Sequence, residues 1–137
     1  PNVRAICTSN TEEYAGTHDT QSALLDRLVT IELDHPNRET EVKVTQRRSG
    51  IDADAAEQIV DLVRTVRAAT DRYHGPSVRA AILLARVFAG REEEMGPHSD
   101  FFLDTCGDVL RPSRATGSST AGDLEAHIDD AIVAVFG

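Results

Sequence analysis

The sequence predicts an α/β segment over residues 1–36 that gives way to an all-α bundle over residues 37–137. Three observations carry that expectation. Two short, β-rich apolar runs occur, and both lie before Pro36. Beyond it, apolar residues recur at the three- and four-residue spacing of helices that bury one face. Polar breaks rich in Pro, Gly, Ser and Thr fall where those helices have to start and stop. The chain has 137 residues, 40% of them hydrophobic and 27% charged, which is the balance of a globular protein. That length has room for about one domain, or for two small halves.

Val3 to Ser9 is short and mostly apolar, as a buried parallel strand should be, and ends in the polar turn Thr8-Ser9-Asn10-Thr11. Thr20 can cap a short helix over Ser22 to Leu28, with Leu24, Leu25 and Leu28 on one side. Val29 to Leu33 alternates apolar and polar as a second strand, closed by Asp34-His35-Pro36-Asn37. Two strands cannot cover a buried sheet. The sheet is therefore expected to continue outside these residues, and a chain opening at Pro1 without Met fits a fragment.

Glu39 to Arg48 reads as a charged helix stopped by Ser49-Gly50. Asp52 caps a longer one with Ala55, Ile59, Leu62, Val63 and Val66 at helical spacing. After Gly75-Pro76, Ser77 caps a helix over Val78 to Ala89 that is apolar nearly all round except at Arg79 and Arg86. This is the expected central helix, with Gly90 as its stop. Phe101 to Leu110 gives another helix, Arg111 to Gly122 a loop, and Asp123 to Phe136 the last helix.

Composition excludes several functions. Twenty-three acidic against 14 basic residues give a net charge of −9, which argues against non-specific nucleic-acid binding. Lys43 is the only lysine, and it lies on a charged helix with no glycine loop, so no phosphate cradle of the Gly-x-x-x-x-Gly-Lys-Ser/Thr type occurs. Cys7 and Cys106 lie far apart and make no disulfide framework, so a reducing, cytoplasmic compartment is expected. No apolar stretch approaches the ~20 residues of a membrane span. His18 with Asp19, and His98 with Asp100, lack companions at metal-ligand spacing, and Glu92-Glu93-Glu94 reads as a solvated helix end.

Three residues carry chemistry, each beside a plainer alternative. Asn10 follows a strand at its carboxyl end, where ligands gather in open α/β sheets; an ordinary Asx turn accounts for it as well. Arg27 ends the short helix, where a planar guanidinium can neutralise spread phosphoryl charge; a solvated arginine near a helix C-terminus is the alternative. Arg79 is a cation in the first turn of its helix, opposing the macrodipole. Anion binding and a salt bridge explain it equally.

The order of these features resembles the C-terminal half of a MoxR-type AAA+ ATPase. The residues that carry the resemblance are Arg4-Ala-Ile-Cys-Thr-Ser-Asn-Thr-Glu-Glu-Tyr-Ala-Gly-Thr-His18, then Thr20-Gln-Ser-Ala-Leu-Leu-Asp-Arg27, then Pro76-Ser-Val-Arg-Ala80 opening a helix. The resemblance implies the last strands of a P-loop NTPase core over residues 1–36. It implies a helical lid with a loop-rich C-terminal extension over 37–137. Asn10 would be sensor 1, Arg27 the arginine finger reaching a neighbouring subunit's nucleotide, and Arg79 the cofactor-binding sensor 2. ATP and Mg2+ would be bound mainly by an upstream half holding the Walker motifs.

The Glu12-Glu13-Tyr14-Ala15-Gly16 segment leans towards the gas vesicle branch. That implies ATP hydrolysis in a ring, hexameric by family habit, assisting gas vesicle assembly with other gas vesicle proteins and without nucleic acid or membrane. A chaperone for another client (metal insertion or a von Willebrand factor A domain partner) and a non-catalytic helical interaction domain are the alternatives. Thr11 and Leu28 depart from the family's usual Pro and Phe or Met.

Overall fold

A computed structural model describes residues 33–70, 75–111 and 121–137, with positions 5, 6, 8, 27, 29 and 31 before them. The chain divides into two compact units, Pro1–Asp34 and His35–Gly137.

In the first unit none of the described residues lies in a strand, and Arg27 occupies a turn. The two expected strands are therefore not seen at the positions described within them. Ile6, Val29, Ile31 and Leu33 are 77–96% exposed, which leaves unburied the apolar side chains a sheet would cover. A strand is stable only with a ladder partner and a covered face. The rest of both runs, the expected helix over Ser22 to Leu28 apart from Arg27, and Cys7 lie outside the described residues.

The second unit contains five α-helices among its described residues: α1 (Arg38–Ser49), α2 (Ala53–Ala69), α3 (Val78–Phe88), α4 (Asp100–Leu110) and α5 (Ala121–Phe136). Local chemistry sets their ends. The Asn37 side chain accepts from the Thr40 N–H at 2.9 Å to open α1, a cap hidden in a segment that reads as a turn. Glu39 and Glu41 in its first turn and Arg47 and Arg48 in its last complement the macrodipole. Gly50 closes it at φ +79°, the left-handed conformation that glycine adopts freely. Asp52 and Ser77 cap α2 and α3 as expected, each accepting from the backbone N–H two residues on. Ser99 does the same for α4 through the Phe102 N–H.

Gly90, at φ +81°, turns the chain after α3, and its N–H is taken by the Glu92 carboxylate. That hydrogen bond holds Glu92 below the usual carboxylate range. Glu92–Glu94 is a single 3-10 turn rather than the end of a helix.

The centre of the bundle is shared. Helix α2 packs against α1, α3 and α5 and buries seven residues from Ala55 to Val66, whereas α3 packs against α1, α2 and α4 and buries Ala81, Leu84, Ala85 and Phe88. Thus α3 is not central alone, and it is one-sided: Leu83 stands 50% exposed between the exposed Arg79 and Arg86. With α1 on one side, α3 needs only half its surface apolar.

All four phenylalanines of the chain form one run of ring contacts. Phe88 meets Phe101 and Phe102 at 5.5 and 5.0 Å, and Phe102 meets Phe136 at 5.0 Å. The run ties α3, α4 and α5 together, each pair adding about 0.5–1.5 kcal/mol beyond area burial. Cys106 is a free thiol buried in the same core, and burial pushes its pKa up to about 12. In a Cys7→Ser background at pH 8, Cys106 should resist a thiol reagent under native conditions and react once the protein is unfolded in urea; rapid native labelling would contradict this burial.

Candidate functional site

The start of α3 is held by a buried charge cluster. Glu41 on α1 is 1% exposed, and its two carboxylate oxygens accept from Arg67 at 2.9 Å and Arg64 at 3.0 Å, both on α2. The Arg67 Nε also donates to the Pro76 carbonyl at 2.7 Å, one residue before the Ser77 cap. Gly75 permits that approach, since a Cβ there would lie 2.6 Å from Thr70 Oγ1 and 2.8 Å from Arg67 Cγ. One carboxylate thus joins α1 to α2, and one arginine joins α2 to the first residues of α3.

Arg79 sits on the helix so fixed. Its backbone N–H is taken by Ser77, and its exposed guanidinium has no ion pair among the described residues. Together with Arg48, Ile82, Leu83 and Arg86 it lines an open hollow of about 490 Å³. Arg79, Leu83 and Arg86 fall at i, i+4 and i+7, one face of α3, and Arg48 comes from the last turn of α1. The Arg86 Nε donates to the Arg48 carbonyl at 3.2 Å, which orients that side chain across the helix pair.

Among the described residues neither Arg48 nor Arg86 has a carboxylate partner either. A chain of net charge −9 therefore carries three guanidiniums on one hollow with no acid between them among the described residues. Such a group can hold a phosphate oxygen through charge-assisted, bidentate hydrogen bonds. By contrast, Arg38 is spent on Asp61 and Glu57, an exposed cluster with a structural role.

The three residues singled out by sequence fare differently. Asn10 lies outside the described residues. Arg27 is exposed in a turn of the first unit, and Arg79 belongs to the second, so each is described by itself. The salt-bridge alternative for Arg79 finds no partner among the described residues. Sequence reasoning missed Arg48 and Arg86 as its companions. The signal for Arg86 was the seven-residue interval from Arg79; for Arg48, on another helix, there was none. Among the described residues no group of three His, Cys, Asp or Glu side chains stands ready for a metal ion, and no helix is long and apolar enough to cross a membrane.

No family model matches the chain. Curated relatives do. A gas vesicle ATPase GvpN of Ancylobacter aquaticus is 43% identical over 110 residues, covering 80% of this chain and 31% of the relative. GvpN of Haloferax mediterranei is 38% identical over 138 residues, 100% of this chain and 38% of the relative. GvpN1 of Halobacterium salinarum is 34% identical, covering 98% of this chain and 39% of the relative. The chain thus spans about a third of the length of the curated relatives it matches.

Proposed function

From this kinship with the gas vesicle ATPases, which runs along most of the chain, we propose that these residues serve an AAA+ ATPase of the MoxR type that works as a head-to-tail ring in gas vesicle assembly. The observation that carries the reading is Arg79: an exposed guanidinium without an ion pair among the described residues, on a helix end pinned by Arg67. A phosphate contact gives that charge a reason to oppose the macrodipole.

In this reading Arg79 touches the γ-phosphate of its own subunit's ATP. Asn10 orients the attacking water, and Arg27 reaches across to the nucleotide of the next subunit. ATP supplies the transferable phosphoryl group, and Mg2+, held mainly outside this stretch, neutralises the charge that develops on it. The chain's own residues contribute positioning and positive charge, which phosphoryl transfer needs more than covalent help. A finger acting across subunits makes every interface heterologous, as in a closed ring.

The test substitutes Arg79 in a protein of the relatives' full length. Arg79→Ala should weaken ATP binding by about 10–100-fold, the worth of a charge-assisted contact. Because the side chain is exposed, the thermal midpoint of the 137-residue chain should hold within about a degree or two. Unchanged nucleotide affinity in the full-length variant would remove Arg79 from the site.

A further inference from the structure

Leu83, Phe101 and Val133 are the large apolar side chains of the helical unit that stand exposed among the described residues, at 50, 47 and 58%. Phe101 is already engaged, its ring tilted at 55° against Phe88 and carrying the Arg91 guanidinium 5.9 Å from its centre. The other two sit in opposite electrostatic settings. Leu83 has Arg79 four residues before it and Arg86 three after, with Arg48 beside them across the hollow. Val133 has Asp129 four residues before it and Asp130 three before, both exposed. Residues at those spacings share a helix face. None of these arginines and aspartates makes an ion pair among the described residues, so the two faces do not satisfy each other within one copy.

We propose that the basic Leu83 face of α3 receives the acidic Val133 face of α5 from a second copy of this chain. Each face offers an aliphatic side chain beside charges of one sign, and the signs are complementary. A bare phosphate would match the arginines and leave Ile82 and Leu83 uncovered; an acidic helix with an exposed valine matches both. Such pairing excludes water over the leucine–valine contact and sets register by the charges around it. The two faces lie on different helices, so the contact is heterologous and each copy keeps one face free for the next. Arg86 and Arg48 anchor the incoming helix, while Arg79, two turns from Arg86 along α3, stays at the end of the hollow. This docking stands apart from the ATP reading and needs no nucleotide.

Sedimentation equilibrium of the 137-residue chain, at concentrations up to about 1 mM and without nucleotide, tests it. The wild-type chain should self-associate beyond a dimer at high concentration. Arg86→Glu and Asp130→Arg, both exposed and both expected to keep native circular dichroism, should each weaken association by about tenfold or more, because each sets like charges together. An equimolar mixture of the two variants should associate more strongly than either variant alone. The intact acidic face of one fits the intact hollow of the other, and at the remaining faces the two substitutions meet with their signs exchanged.

A wild-type chain that stays monomeric would overturn the proposal, as would single variants that associate like wild type or a mixture that stays monomeric. If the monomeric wild type instead takes up inorganic tripolyphosphate in a calorimetric titration, and Arg86→Glu abolishes that uptake, the hollow is an anion site and the docking surface is refuted. Loss of ATP binding in Arg79→Ala bears on the phosphate reading alone.

Discussion

Arg27→Ala in a protein of the relatives' full length should lower ATP turnover by about three orders of magnitude or more, the scale on which arginine fingers act. Nucleotide affinity should change little, because the finger is proposed to reach a neighbour's phosphate only as charge builds there. Arg27 is exposed in its turn, and circular dichroism of the variant distinguishes the loss from unfolding. Steady-state phosphate release beside equilibrium nucleotide binding separates the two effects. Arg27→Lys should recover little, since a lysine ammonium cannot reproduce the planar, bidentate fork. Turnover equal to wild type in Arg27→Ala would end the finger assignment.

Glu41→Ala should remove about 3–5 kcal/mol from the unfolding free energy of the helical unit, which approaches the whole stability of a small domain. Glu41 is 1% exposed, and its loss strands Arg67, whose side chain is 12% exposed, with its positive charge uncompensated. Arg64, at 38% exposure, can turn to water and contributes less. The damage should spread to the start of α3, because Arg67 also holds the Pro76 carbonyl. Urea unfolding followed by circular dichroism measures it. Arg38→Ala is the matched control: its pairs with Asp61 and Glu57 are exposed and screened by water, so its removal should move the urea midpoint far less. Equal midpoints for the two variants would mean that Glu41 is no keystone.

The helical unit was legible in the sequence wherever a rule is local. Asp52, Ser77 and Gly50 act within a turn of their own position, and the apolar spacing of α2 marks its buried face without reference to neighbours. Glu41 was illegible because nothing local distinguishes it from Glu39 one residue pair earlier. Glu39 pairs with Lys43 at the surface, and Glu41 is buried by arginines 23 and 26 residues away. The one-sidedness of α3 was hidden for the same reason. Leu83 and Leu84 are alike in sequence, yet one is 50% exposed and the other fully buried, a difference decided by where α1 and α2 pack.

The first unit shows the opposite case. Its motif could be read along Arg4 to Arg27, but its apolar side chains at 6, 29, 31 and 33 are exposed, because strand character is fulfilled only by partner strands. Arg79 was legible as a cation in an unfavourable place. The hollow it shares with Arg48 and Arg86 required two helices to be laid side by side.

The most direct test of the central claim mixes two full-length variants, Arg27→Ala and Arg79→Ala, each expected to hydrolyse ATP poorly alone. Arg27 is assigned to the neighbour's nucleotide and Arg79 to its own, so in random rings roughly a quarter of the sites regain both groups. ATP turnover in the mixture should rise accordingly, to about that fraction of wild type. A mixture no more active than its two components would contradict the assignment of one arginine across the interface and the other within the subunit.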